Sequence, residues 1–294
     1  MKKIVFSIVT IMMLLLASCK SDTPTPSDGD KPGEETLNVV RSINISYPPV
    51  SVGGINSNFT RLEYEYDKAG KITEIDWKDS EKAREIDFDI KYLNNRINVD
   101  IDGNIDYKSE VDLNADGQAT QLRIIEEKNL TTVNFTYDGK KLKSHNFENQ
   151  KSPKLNHVEE FEWKGDNLVK IKTKGKGDLA DEVTVSIEYY PDLLNTCFPD
   201  ITQHFEFMHL ENNIIENYGL VPELRFLMGM RSRNLPKKVV KEITSTFGGH
   251  KHFVYTTNIS YKFDDKGRLD VASVSTTEEK DTSKPFKFEV KLSY

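Results

Sequence analysis

Six times along this chain a pair of apolar residues two positions apart runs into a tight-turn sequence and then a fresh apolar residue. The pairs are Tyr64/Tyr66, Ile90/Tyr92, Val111/Leu113, Phe135/Tyr137, Phe161/Trp163 and Tyr261/Phe263, and the pattern restarts at Ile72, Ile97, Ala119, Leu142, Leu168 and Leu269. The intervening turns, such as DKAGK, NADGQ and DDKGR, are rich in the Asp, Asn and Gly that supply positive φ. The first five copies recur every roughly 20 to 26 residues, so one β-hairpin is repeated along the chain. A single hairpin is marginal in water, and stacked neighbours are needed to bury such aromatic rows. The expected fold is all-β: an antiparallel meander of about 12 to 16 strands forming a strongly curved sheet or a barrel-like structure, with one partly helical insertion.

Two turn lengths are written in the spacing. Tyr66 to Ile72, Leu113 to Ala119 and Phe263 to Leu269 each carry Gly at the fourth step (Gly70, Gly117, Gly267), which fits a three-residue loop with its glycine left-handed. The others are one residue shorter and fit two-residue turns such as Asn94-Asn95 or Asp138-Gly139. After three turns the apolar residues fall at the first, fourth and sixth positions, in Ile72/Ile75/Trp77, Ala119/Leu122/Ile124 and Leu269/Ala272/Val274, and Leu168/Ile171 and Leu142/Phe147 follow this in part. A step of three in a period-two strand predicts one extra residue, a bulge beside the turn. Ile97/Val99/Ile101 alternates strictly and predicts none.

The pattern lapses between Tyr190 and Leu235. The spacing places an insertion over 191–234, with a short helix from Pro222 to Met230 opened by Pro and Glu223. It is too apolar for a free loop. It reads as a plug or a lid that buries Leu224, Phe226 and Leu227.

The N-terminus supplies an address. Lys2 and Lys3 precede an apolar stretch from Ile4 to Leu16, too short to span a bilayer about 30 Å thick as a helix. Leu16-Ala17-Ser18-Cys19 then reads as a lipobox, making residues 1–18 a signal peptide and Cys19 the lipid attachment site. Residues 20–36, with three prolines and no large apolar side chain, read as a disordered tether, leaving a single domain over 37–294. Loss of Lys2 and Lys3 takes the formal charge from −7 to −9, which gives no basis for nucleic-acid binding. The remaining cysteine, Cys197, has no intrachain partner once Cys19 is acylated.

The Tyr-Asp-x-x-Gly-Lys hairpins resemble the Tyr-Asp repeats of Rhs-type bacterial proteins. With the lipobox, and with Leu-Met-Gly-Met-Arg-Ser-Arg-Asn-Leu-Pro at 227–236, the chain is similar to a family of gut Bacteroidetes lipoproteins of unknown function. That resemblance spans about residues 37–294 and implies a porin-like antiparallel fold. It implies no catalytic residue.

No constellation in the sequence specifies chemistry. Asp112-Leu-Asn114-Ala-Asp116-Gly117 opens like an EF-hand loop, but Arg123 stands where the closing bidentate Glu belongs. His204 with His209, and His250 with His252, lack the third ligand a zinc site needs. There is no Gly-x-Ser-x-Gly elbow, phosphate loop or His-Glu-x-x-His. No catalytic residue, metal ligand or cofactor is expected. The charged strands also argue against a spanning barrel, whose outer band is apolar. The expectation is a lipid-anchored outer-membrane protein on the periplasmic or the cell-surface face. Its partners would be the membrane, through the anchor, and a glycan or an envelope protein. A hydrolase with an acid pair brought together by folding is the alternative.

Overall fold

The computed structural model describes residues 37–52, 55–79, 84–102, 107–126, 129–175, 182–198, 200, 231–245, 251–280 and 285–294. Its first strands are β1 (Asn38–Val39), β2 (Ser42–Val52), β3 (Ile55–Tyr66), β4 (Ile72–Asp79), β5 (Arg84–Tyr92), β6 (Arg96–Asp102), β7 (Tyr107–Leu113), β8 (Ala119–Glu126) and β9 (Asn129–Asp138). They continue as β10 (Lys141–Asn149), β11 (His157–Lys164), β12 (Asn167–Gly175), β13 (Glu182–Leu194), β14 (Cys197–Phe198), β15 (Asn234–Ser245), β16 (Lys251–Phe263), β17 (Leu269–Glu278) and β18 (Phe286–Ser293). Sixteen of them, all but β1 and β14, form one closed antiparallel barrel in which each strand pairs with its sequence neighbours. The ring closes where β18 meets β2, with Val290 opposite Ile45. Of the two architectures the sequence allowed, the closed barrel is the one formed.

Each hairpin follows the local chemistry of its turn. In the longer loops Gly70, Gly117 and Gly267 sit at φ 76°, 77° and 73°. The residue opening each loop (Asp67, Asn114 or Asp264) accepts two backbone N–H groups on its side-chain oxygen at 2.8–3.0 Å. Thr73, Thr120, Lys143, Val169 and Asp270 are the predicted extra residues, skipped in the pairing register. The β5/β6 hairpin has no such shift, as its strict alternation required. One detail differs. Asp138 pairs with Lys141, so that two-residue turn is Gly139-Lys140, not Asp138-Gly139.

The bulges have a structural use. A residue squeezed out of the ladder leaves a backbone carbonyl that needs a donor. Trp163 donates to the Leu142 carbonyl at 2.8 Å, Tyr189 to Leu168 at 2.6 Å and Tyr294 to Leu269 at 2.7 Å. Tyr261 does the same to Pro236, beside the register shift at Lys237, at 2.7 Å, and Tyr66 donates to the Val40 carbonyl, outside the barrel strands, at 2.5 Å. Leu142, Leu168 and Leu269 each restart an inward row, so at these three turns an aromatic from a later strand caps the carbonyl beside the bulge.

The inward rows form a single core in which Leu62, Ile75, Trp77, Ile97, Leu122, Phe147 and Val290 are essentially inaccessible. Sixteen strands spaced about 4.8 Å apart and closed into a circle would have a backbone radius of roughly 12–16 Å, too wide for side chains to fill. The inward side chains are nonetheless inaccessible, so the interior is not an open water-filled channel. Phe263 departs from the expected burial: it ends β16 with 42% of its surface exposed, whereas its row-mate Tyr261 turns inward. The outward rows are charged, with Glu65, Asp87, Asp89, Lys91 and Lys108 exposed. Arg96 and Arg123 both bridge Glu110 and Asp112 across β6, β7 and β8 at 2.6–3.4 Å.

The insertion is shorter than its sequence boundaries, because β13 runs to Leu194 and β15 begins at Asn234. Among the described residues there is no α-helix, only a 3-10 turn at Pro153–Leu155. The helix expected over 222–230, the burial of Leu224, Phe226 and Leu227, the signal peptide, Cys19 and the tether all lie outside the described residues.

Candidate functional site

The ends of the insertion are held by side chains of the 227–236 motif. Ser232 Oγ accepts the Leu168 N–H at 3.1 Å and lies 2.8 Å from the Tyr189 hydroxyl. Asn234 exchanges hydrogen bonds with Asn167 at 2.9 and 3.0 Å and donates to the Pro191 and Leu193 carbonyls. Asn195 donates to Asp200 at 2.9 Å and to the Ser232 carbonyl at 3.3 Å, and Arg231 donates to the Asn195 carbonyl. Ser232, Asn195 and Asn234 are buried, so this motif fastens the tight-turn end of the barrel. Beside it, β14 pairs in parallel with β1, and Arg41 N–H bonds the Ser293 carbonyl at 2.6 Å. Burial pushes the Cys197 thiol up to about 12, which makes it a structural thiol and not a nucleophile.

Two places remain where chemistry could occur. The first is a groove of about 700 Å³ on the outer wall over β16, β17, β18 and β2. Its outward positions carry Ser46, Asn258, Ser260, Ser273, Ser275, Lys287 and Glu289. The pairing register lays these out in two rows: Asn258 opposite Ser275 opposite Lys287, and Ser260 opposite Ser273 opposite Glu289 opposite Ser46. Small hydroxyl and amide side chains here replace the long charged residues of the opposite wall. Tyr190 and Lys237 border the groove; the Tyr190 hydroxyl donates to the Ile259 carbonyl at 3.0 Å, and the Lys237 ammonium lies 5.8 Å from the Tyr190 ring centre. Tyr190 also meets Tyr261 edge-on at 5.9 Å.

The second is a polar cluster inside the barrel. His145, His157 and Glu159 are all buried, and their ligand-capable atoms lie within 4.8 Å of one another. His145 Nε2 is 3.3 Å from Glu159 Oε2, while Glu159 Oε1 accepts the Thr173 hydroxyl at 3.0 Å. His157 Nδ1 lies 3.0 Å from the Leu155 carbonyl, and its ring stacks on Phe147 at 4.8 Å. Phe135 and Phe161 flank His145. Lys241 points into the same interior, and burial pushes its ammonium down to about 7 against the opposing pull of Glu159.

Of the residues weighed from the sequence, His204, His209 and His250 lie outside the described residues, and His252 is exposed with Glu242 at 3.9 Å. The calcium-loop reading ends at Arg123, which ion-pairs Glu110 and Asp112, while Asn114 closes a turn. The interior cluster was missed, although position could have revealed it. His145 occupies the fourth-position slot held by Ile75, Leu122 and Ala272 in other hairpins, and His157/Glu159 precede Phe161/Trp163 in strict alternation.

No protein-family model matches the chain. No curated protein matches it either. The class is set by architecture: a closed, porin-like antiparallel barrel. Among solved structures it is similar to a porin-like protein from Bacteroides uniformis, with TM-score 0.60, 13% identity, and coverage of 86% of this chain and 97% of that one. It is likewise similar to a porin-like protein from Bacteroides vulgatus, with TM-score 0.57, 12% identity, and coverage of 87% and 98%. At these identities the likeness is one of fold. The surface departs from a membrane pore, because a lipid-facing barrel is apolar outside and polar within, and this one is charged outside with an apolar interior.

Proposed function

We propose that the protein is a lipid-anchored module of the bacterial cell envelope that binds a glycan in the groove over β16, β17, β18 and β2. The observation that carries the reading is the groove's composition. Serine hydroxyls, an amide, an ammonium and a carboxylate beside a tyrosine edge match the hydroxyl-rich faces of a sugar better than an apolar partner. Anchoring at Cys19 rests on the lipobox, and envelope residence draws support from the source of the porin-like relatives. The charged outer wall favours a barrel that stands in water on its tether. The hydrolase alternative is less well served, since among the described residues the groove offers one carboxylate, Glu289, where glycosidase chemistry uses two.

Isothermal titration of the mature barrel with envelope and dietary oligosaccharides tests this reading. Binding that drops at least tenfold in Asn258→Ala and in Lys287→Ala supports it; binding unaffected by both, or none to any glycan, refutes it. Cys19→Ala should move the protein from the membrane fraction to the soluble one. An unaltered protein that is wholly soluble would refute the anchor.

A further inference from the structure

We propose that His145, His157 and Glu159 form a zinc site inside the barrel that staples β10 to β11. The residue types are those of a two-histidine, one-carboxylate set, which suits Zn²⁺ with a fourth position left for water. Zinc–ligand bonds of about 2.0–2.2 Å put ligand atoms roughly 3.4 Å apart on a tetrahedron. His145 Nε2 and Glu159 Oε2 are already 3.3 Å apart. All three ligand atoms fall within 4.8 Å, so closing the set needs shifts of about 1.5 Å or less, within reach of small χ rotations.

The supporting contacts are those a metal site uses to aim its ligands. His157 Nδ1 faces the Leu155 carbonyl at 3.0 Å, which selects the tautomer with its proton on Nδ1 and leaves the Nε2 lone pair for a metal. Thr173 donates to Glu159 Oε1, leaving Oε2 toward His145. Phe147 and Phe161 pack against the two imidazoles and restrict their rotation. The positions themselves are unusual. In the other bulged hairpins the slot of His145 holds Ile, Leu or Ala, and an apolar core gains nothing from two imidazoles and a carboxylate. The Lys241 ammonium shares the interior with Glu159 and would compete with a cation for that carboxylate.

Because the ligands are buried, the metal would enter as the barrel closes. The test therefore uses untagged mature protein, stripped with a chelator, with ZnCl₂ supplied both to the native protein and during refolding. The expected result is one zinc per chain in at least one preparation. X-ray absorption should then show two imidazoles in the coordination shell of the wild type. His145→Gln and Glu159→Gln should weaken binding at least tenfold, Lys241→Met should tighten it severalfold, and the exposed His252→Gln should leave it unchanged. Zinc bound by neither preparation, a shell lacking two imidazoles, or affinity that survives Glu159→Gln would overturn the site. Should a variant not fold, the wild-type stoichiometry and absorption spectrum decide alone. None of these readouts depends on glycan binding.

Discussion

Replacing Gly70 isolates backbone conformation from every other effect. Gly70 sits at φ +76°, and a Cβ added there meets nothing within 4 Å. The cost of Gly70→Ala is then torsional alone. Holding an L-residue in the left-handed region costs about 1–2 kcal/mol, while lost freedom in the unfolded chain returns about 0.4–1 kcal/mol. The net destabilisation is therefore about 1 kcal/mol, or roughly 2–4 °C in Tm for a domain of this size. Gly70→Asn should recover most of it, because asparagine visits this region readily. Gly267, at φ +73° with equally open space, should give the same pair of values. The two turns lie several strands apart around the ring, so the double alanine variant should cost about 2 kcal/mol. Urea unfolding of the five variants supplies the numbers. An alanine as mild as asparagine at either site, or a double variant far from additive, would refute a purely conformational account.

Other perturbations test packing and charge. Tyr294→Phe removes the donor to the Leu269 carbonyl and should cost about 1 kcal/mol in urea unfolding. Asn234→Ala strips three side-chain hydrogen bonds from a buried site and should cost about 2–4 kcal/mol, seen as a lower denaturation midpoint. Cys197 should resist alkylation in the folded protein and react only on unfolding, monitored by intact mass. Arg123 holds the Asp112 carboxyl below its ordinary range. Its contribution should be fully present above about pH 4–5 and be lost as the pH falls through the lowered value. In Arg123→Ala that acid-side loss should shrink, with a cost at neutral pH under about 1 kcal/mol that fades in high salt.

Much of the fold was legible because hairpin chemistry is local. Asp67 with Gly70, and Asp264 with Gly267, specify their turns within five residues, and the three-step from Ile72 to Ile75 discloses a bulge by spacing alone. Closure was not legible, since the meeting of β18 with β2 depends on twist accumulated over sixteen strands. Phe263 misled because alternation predicts a face, not whether anything covers it at a strand end. The interior histidines escaped because they were sought as motifs, whereas their meaning lies in occupying slots where Ile and Leu belong. The groove escaped for a related reason: Asn258, Ser275 and Lys287 are ordinary outward residues, and only the register across three strands makes them one surface.

The seam between β2 and β18 also sets a kinetic order. Nearly every other pairing joins strands that are consecutive in the chain and can zip from a turn in microseconds. Bringing Ile45 to Val290 instead closes a loop of roughly 250 residues, at an entropic cost of about 5 kcal/mol. That step should come late, and until it does two bare strand edges face outward, each able to pair with the complementary edge of another copy. Closure therefore competes with domain-swapped assembly, and dilution during refolding should raise the yield of monomer.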